Sequence, residues 1–294
     1  MSRPTGTDAH ATAIFDAQRP RLLGLAYRMT GSLADAEDVV QDAWLRWSTA
    51  DVAAVDNPAA WLTTVATRLS LDRIRTADRR RAEYVGEWLP EPVATSRGPE
   101  ETAELAESLT LGFLVLLDRL SPTERAVFLL ADVFGEPYST IGETVGKSEV
   151  ACRQIASRAR RKVHEERVGA PPDDDPELLS RLITAVLAGD SEGLLDLLDP
   201  DVVLVSDGGP ERHAARRPVV GAERVGRFVL NLGRRAVGAA AAIVEVNGRP
   251  SLVQELPDGR IVTQIDQHDG RITAIWVCLN PSKLRGLDAV TPLR

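Results

Sequence analysis

From Ala11 to about Arg81 the apolar positions recur every three or four residues and never alternate strictly, a pattern that predicts helices and no strands. Two starts are marked: Ser32 with Asp35 three residues on, and Asp56-Asn57 ahead of Pro58. Between Ala82 and about Glu107 the periodicity lapses into WLPEPVATSRGPEE, whose prolines and Gly98 interrupt both hydrogen-bond ladders, so a linker is expected. A second helical block runs from about Ser108 to Arg167, broken at Leu120-Ser121-Pro122 and turned at Gly146-Lys147-Ser148. The proline-rich, acidic run Ala170 to Pro176 reads as a hinge. Beyond it a helical stretch, Glu177 to Leu198, gives way to short β-branched runs: Val202–Val205, Ala242–Val246, Ser251–Leu256, Arg260–Gln267 and Ile272–Leu279. The turns Asn247-Gly248, Asp258-Gly259 and Asp269-Gly270 separate several of them, so the expectation is an α+β domain with an antiparallel sheet.

A chain of 294 residues holds two or three such domains. No apolar run approaches the roughly 20 residues of a bilayer-spanning helix, and Met1 to His10 lacks the basic start and apolar stretch of an export signal, so a cytoplasmic location without membrane contact is expected. The net charge of -8 argues against a protein that coats nucleic acid indiscriminately. Cys152 and Cys278 are far apart and form neither a bridge framework nor a metal-ligand spacing, so both are read as buried thiols, and no metal or cofactor is expected.

Local charge alters this picture. In GSLADAEDVVQDAWLRW, Gly31 to Trp47, helical spacing puts Val40, Trp44 and Trp47 on one face and leaves Asp35, Glu37, Asp38, Gln41 and Asp42 largely outside it. The helix from Asn57 ends in Arg68, Arg73, Arg75, Arg79, Arg80 and Arg81 against only Asp72 and Asp78, which suits a phosphate backbone. Trp61 near its start is either core or a flat face for an unstacked base. STIGETVGKSEVACRQIASRARRKV has the grammar of a helix-turn-helix: Ile141 and Val145 inward, Gly142 for close approach, Gly146 in the turn and Ser148 as cap. Cys152, Ile155, Ala159 and Val163 form its inward stripe. Glu149, Arg153, Gln154, Ser157, Arg158 and Arg161 face out, where Arg and Gln can make two-pronged contacts to base edges.

These stretches together resemble the extracytoplasmic-function sigma factors of the sigma-70 family. The likeness covers about Ala11 to Val168, on YRMTGSLADAEDVVQDAWLRW, NPAAWLTTVATRLSLDRIR and LSPTERAVFLLADVFGEPYSTIGETVGKSEVACRQIASRARRK. It implies two all-α domains, sigma region 2 at 11–82 and region 4 at 108–168, joined by the linker 83–107. It further implies that Asp35, Asp38, Gln41 and Asp42 dock on the β′ clamp helices of core RNA polymerase, with region 4 at the β flap. The loop Ala50 to Asp56 and the helix after it, with Trp61, Arg68, Arg73, Arg75, Arg79 and Arg80, would read and melt the promoter −10 element. The helix from Ser148, with Glu149, Arg153, Gln154, Ser157, Arg158 and Arg161, would read −35. None of these steps makes or breaks a bond, so no catalytic residue is implied.

The remainder, 177–294 after the hinge 169–176, resembles the SnoaL-like branch of the cone-shaped α+β fold shared with nuclear transport factor 2. Trp88-Leu89-Pro90-Glu91-Pro92, Asp207-Gly208-Gly209 and Asn280-Pro281-Ser282-Lys283-Leu284 resemble the markers of the SigJ-like subgroup, in which the tail is a built-in regulator replacing a separate anti-sigma protein. Pro210 stands where that pattern has another glycine. The hypothesis this suggests is that Trp88 and Leu89 dock in an apolar groove, with Lys283 paired to an acidic linker residue such as Glu91. SnoaL-like folds also include cyclases and isomerases. Asp207, His213, Asp266 and His268 are the available acid–base candidates, so a small ligand or an enzymatic tail on a DNA-binding module is the competing reading.

Overall fold

Short-range signals set the first helices. Gly31, at φ 69°, ends α1 (Gly6–Thr30) in the left-handed conformation that glycine adopts without a Cβ penalty, its N–H on the Tyr27 carbonyl at 2.7 Å. Ser32 caps α2 (Leu33–Ser48) by accepting the Asp35 N–H at 3.3 Å, and Asn57 accepts the Ala60 N–H at 3.1 Å ahead of α3 (Pro58–Arg81). Leu22, Leu25, Tyr27, Val39, Trp47 and Leu62 are buried, and the Trp47 indole N–H reaches the Ala11 carbonyl at 2.9 Å. Α computed structural model underlies this description; it describes residues 6–81, 84, 86–95, 110–166, 175 and 177–287, in two compact units.

The second helical block contains α4 (Leu111–Asp118), α5 (Pro122–Phe128), a wider π turn at Leu129–Val133, α6 (Tyr138–Val145) and α7 (Glu149–Glu166). Ser121 and Glu124 form a reciprocal capping box at the expected break. Gly146 turns left-handed at φ 68°, and a Cβ on Gly142 would lie 2.6 Å from the Lys147 carbonyl, so the turn needs both glycines. The two helical blocks lie in one compact unit, from which only Leu111 to Phe113 of α4 are excluded. Arg125 joins the blocks from within: its guanidinium is nearly fully buried and donates to the Met29 carbonyl at 2.5 Å and to Asp118 at 2.8 Å. Arg21 meets Glu136 at 2.7 Å on the same seam.

The second unit contains α8 (Leu178–Ala188), α9 (Ser191–Leu197), β1 (Leu198–Asp207), β2 (Val219–Val220), α10 (Ala222–Arg235), β3 (Ala240–Val246), β4 (Arg249–Leu256), β5 (Gly259–His268) and β6 (Arg271–Cys278). The six strands run in the order β2-β1-β6-β5-β4-β3. The expected antiparallel sheet needs one correction: β1 pairs with β6 in parallel, Val205 opposite Trp276. Tight turns can join only antiparallel neighbours, and β1 and β6 are the two strands separated by the whole excursion through α10 and the hairpins. Asn247-Gly248 and Asp269-Gly270 have positive φ at both positions, as two-residue hairpin turns require. The expected helical stretch Glu177 to Leu198 holds two helices, divided where Gly189 turns left-handed and Asp190 caps α9.

Alternation gives the sheet two apolar faces. One, with Val202, Leu204, Ile261, Ile265 and Ile275, packs under α8, α9 and α10. The other, with Val246, Val253, Val262 and Cys278, is covered by Leu284, Leu287 and Ala94 of the expected linker. Glu83–Arg97 therefore belongs to this unit. The rest of the linker through residue 109 lies outside the described residues, as does the hinge 169–176 apart from Asp175.

Candidate nucleic-acid interface and linker clamp

In the first unit the acidic face and the basic helix meet. Arg73 of α3 lies 2.9 Å from Asp38, 3.5 Å from Asp35 and 3.6 Å from Asp42, so a residue assigned to −10 DNA is set among three assigned to the polymerase. Gln41 is exposed beside them. Arg68 donates to the carbonyls of Thr144 at 3.1 Å and Glu143 at 2.7 Å, satisfying the open C-terminal end of α6. Arg75 is exposed and paired to Asp72 at 3.1 Å, while the side chains of Arg79, Arg80 and Arg81 lie outside the described residues. Trp61 is half-buried, its ring centroid 5.3 Å from that of buried Trp47.

On α7 the inward stripe Cys152, Ile155, Ala159 and Val163 is buried, joined by Ala156. Glu149, Arg153, Gln154, Ser157, Arg158 and Arg161 are exposed. Glu149 and Arg153 hold one another at 2.5 Å, and Arg153 also lies over the Tyr138 ring. Gln154, Ser157 and Arg158 have no partner among the described residues and are open to a ligand. Arg160, which the sequence did not single out, clamps Asp132 and Tyr138, and Lys162 pairs with Glu124 at 2.8 Å. Burial alone would push the Glu124 carboxyl up, but hydrogen bonds from Lys162 and Ser121 outweigh it and hold the group below the usual carboxylate range.

The three short motifs of the second unit converge on one carboxylate. Asp207, at the end of β1, is fully buried. One of its oxygens accepts from the Tyr84 hydroxyl at 2.5 Å and the Gly209 N–H at 2.9 Å; the other accepts from the Leu89 N–H at 2.9 Å and Lys283 Nζ at 2.6 Å. Four donors, one of them a cation, satisfy a buried charge that would otherwise be very costly. Lys283 also donates to the Leu89 carbonyl and sits 3.9 Å from the centroid of the half-buried Trp88 ring. Lys283 forms an ion pair with Asp207, an acid outside the linker that the sequence had not paired with it. Asn280 donates to the Tyr84 hydroxyl at 2.7 Å and accepts the Ser282 N–H, starting the short turn Pro281–Lys283 that carries Leu284 into the core. Burial and then the hydrogen bond to Asp207 push the Tyr84 hydroxyl far above its ordinary value.

Glycine is obligatory in the Asp207 loop: Gly209 has φ 61° and a Cβ there would lie 2.6 Å from the Asn280 amide, while one on Gly208 would lie 2.3 Å from the Arg212 carbonyl. Leu89, Pro90 and Pro92 are buried, with Glu91 half-buried between the prolines. Val93 and Asn247 exchange hydrogen bonds at 2.8 and 3.0 Å, and the Thr95 N–H reaches the Glu245 carbonyl at 3.0 Å. An isolated bridge, Ala94 to Val246, completes the pattern, so the linker adds a short antiparallel strand to the outer edge of β3. The sequence signals for Asp207 and Lys283 were the motifs; Tyr84 carried none, and Asn247 was marked only as a turn residue.

The acid–base candidates are dispersed. Asp207 is committed to the clamp, Asp266 accepts from the Trp276 indole at 2.9 Å, and His213 is exposed in a loop. A cavity of about 220 Å³ lies between α10, β1 and β6, mostly apolar, with Ser206, His213 and Arg235 among its lining. No helix of the described residues is long and apolar enough to cross a membrane.

Comparison with known proteins agrees with this division. Residues 14–80 match the Sigma-70 region 2 family and residues 111–163 the Sigma-70, region 4 family. The chain is 41% identical to the ECF RNA polymerase sigma factor SigJ of Mycobacterium tuberculosis, over 92% of both chains. It is 36% identical to the probable ECF sigma factor SigI of the same species, covering 95% of this chain and 96% of that one. The crystal structure of M. tuberculosis SigJ superposes with a TM-score of 0.79 at 37% identity, covering 94% of this chain and 98% of that one.

Proposed function

The chain belongs to the extracytoplasmic-function family of RNA polymerase sigma factors, and from that premise we propose that its SnoaL-like unit regulates it by gripping the region 2 to region 4 linker. As an alternative sigma factor it works with core RNA polymerase and promoter DNA. We assign the exposed face of Asp35, Asp38, Gln41 and Asp42 to the β′ clamp helices, region 4 to the β flap, and Gln154, Ser157, Arg158 and neighbouring arginines of α7 to the −35 element. Trp61 and the end of α3 are assigned to −10.

The observation that carries the regulatory reading is the Asp207 carboxylate, which binds Tyr84, Leu89 and Lys283 at once and so ties three separated segments into one knot. A linker held at Leu89 and again at Val93 to Thr95 has a fixed path, and the reach between two DNA-reading elements depends on that path. The SnoaL-like unit acts by binding and not by catalysis, a reading supported by the commitment of Asp207 to the clamp and of Asp266 to the Trp276 indole, and by the exposure of His213. The 220 Å³ cavity favours a second role, the sensing of a small, largely apolar ligand.

Promoter-specific transcription with purified core polymerase tests both levels. The intact chain is expected to direct initiation, and Trp88→Ala or removal of residues 283–294 to change its amount. Silence even after truncation refutes the sigma assignment. Unchanged output from every clamp variant refutes the regulation alone.

A further inference from the structure

Between Glu211 and Arg235 the SnoaL-like unit has seven arginines and only two glutamates, in a chain of net charge -8. At 100° per residue, Glu223, Arg224, Arg227, Asn231, Arg234 and Arg235 fall on one arc of α10, and all six are exposed. Val225 and Gly226 on the opposite side are buried. The arc therefore holds four arginines, one acid and no apolar side chain. None of Arg224, Arg227, Arg234 and Arg235 has an ion-pair partner among the described residues. Arg216 and Arg217, also exposed and unpaired there, follow the loop residues His213 to Ala215, which share a cavity with Asn231 and Arg235.

Helix stability does not account for this stripe. Arg234 and Arg235 suit the negative C-terminal end of a helix dipole, but Arg224 stands in the first turn, where a cation is unfavourable by a few tenths of a kcal/mol. Nor does the stripe resemble the core of a protein interface, which is enriched in aromatic and apolar anchors. Arginines spread over ten residues span about 15 Å of helix, a length that faces two or three consecutive phosphates of one DNA strand.

We propose that the outer face of α10 is a third DNA-binding surface of this chain, contacting the phosphate backbone of duplex DNA without reading its sequence. This extends the sigma assignment, which places DNA contacts in the two helical domains only, and its DNA titration is carried out without polymerase. The full-length chain is titrated onto a labelled non-promoter duplex at several salt concentrations. The triple variant Arg224→Gln/Arg227→Gln/Arg234→Gln is expected to bind tenfold or more weakly near 0.1 M salt, with the log–log salt slope reduced by about 2 to 3 units. The matching triple replacement by lysine, which keeps the charge, is expected to bind like the parent. Unchanged affinity and slope in the glutamine variant overturn the proposal, as does equal weakening by both variants, since phosphate attraction follows charge. A glutamine variant that binds duplex normally but loses core polymerase overturns it in favour of a protein-facing surface.

Discussion

Replacing Lys283 by methionine should open the linker clamp without unfolding either unit. Lys283 Nζ lies 2.6 Å from Asp207, with side-chain exposures of 11% and 0%. Removing one partner of a buried pair costs about 3–5 kcal/mol, because the other charge stays buried. Asp207 keeps three donors, from Tyr84, Leu89 and Gly209, so the lower end of that range applies. About 3 kcal/mol corresponds to a hundredfold increase in the population with the clamp open. Two probes read this directly. The Leu89 amide, bonded to Asp207, should exchange about a hundredfold faster. Cys278 lies under Leu284 and Leu287, and burial pushes its thiol up to about 12, so at pH 8 it reacts only when that cover lifts. Its alkylation should accelerate alongside. Asp207→Asn and the double variant complete a cycle, in which the two effects should fall well short of additivity. If Lys283→Met left both Leu89 exchange and Cys278 labelling at parental rates, the ion pair would not be what holds the linker, and the regulatory reading would lose its physical basis.

Gly209→Ala should destabilise the second unit by about 1–3 kcal/mol, since φ 61° and the Asn280 amide both oppose a Cβ, and the denaturant midpoint would show it. Glu124 ionises more readily folded than unfolded, so the stability it confers is present above the ordinary carboxylate range and is lost as pH falls through its depressed value. Lys162→Ala should therefore flatten the acid limb of melting temperature against pH; an identical limb would contradict the pairing. Arg73→Ala removes the cation facing Asp35, Asp38 and Asp42 and should speed association with core polymerase a few-fold at low salt, a gain erased near 0.5 M. Slower promoter melting with unchanged core association would return Arg73 to DNA.

What the sequence disclosed divides along the range of the forces involved. Ser32, Asn57, Ser121, Gly146 and Ser148 act within four residues of themselves, and each helix start or turn they predict is present. The stripe on α7 was legible because periodicity alone decides which side of a helix is buried. By contrast α10 went unpredicted although Val225, Phe228, Val229 and Leu232 have helical spacing. Partners across the chain were illegible for a different reason. A charge in sequence carries no address, so neither the Arg73–Asp38 pair nor the Lys283–Asp207 pair could be read from the residues alone. The parallel β1–β6 pair likewise depends on a closure that no local residue encodes.

The manner in which the linker is held constrains how it can be released. β3 is the outer strand of the sheet, and Val93 to Thr95 supply the hydrogen bonds for its end near Val246. Pro90 and Pro92 stiffen the approach, so little chain entropy is lost when that short strand adds, and little is regained when it leaves. Opening therefore gains less disorder than a flexible linker would and bares backbone donors and acceptors on a sheet edge that proteins otherwise keep covered. Loss of the Lys283–Asp207 pair frees the Leu89 end, but the Val93 end keeps its ladder. Stepwise release follows: Leu89 exchange should respond to clamp variants more than the Thr95 and Asn247 amides, and full detachment should require some other strand or surface to satisfy the edge. Equal acceleration at all three amides would mean that the linker leaves as one piece and that the edge tolerates exposure.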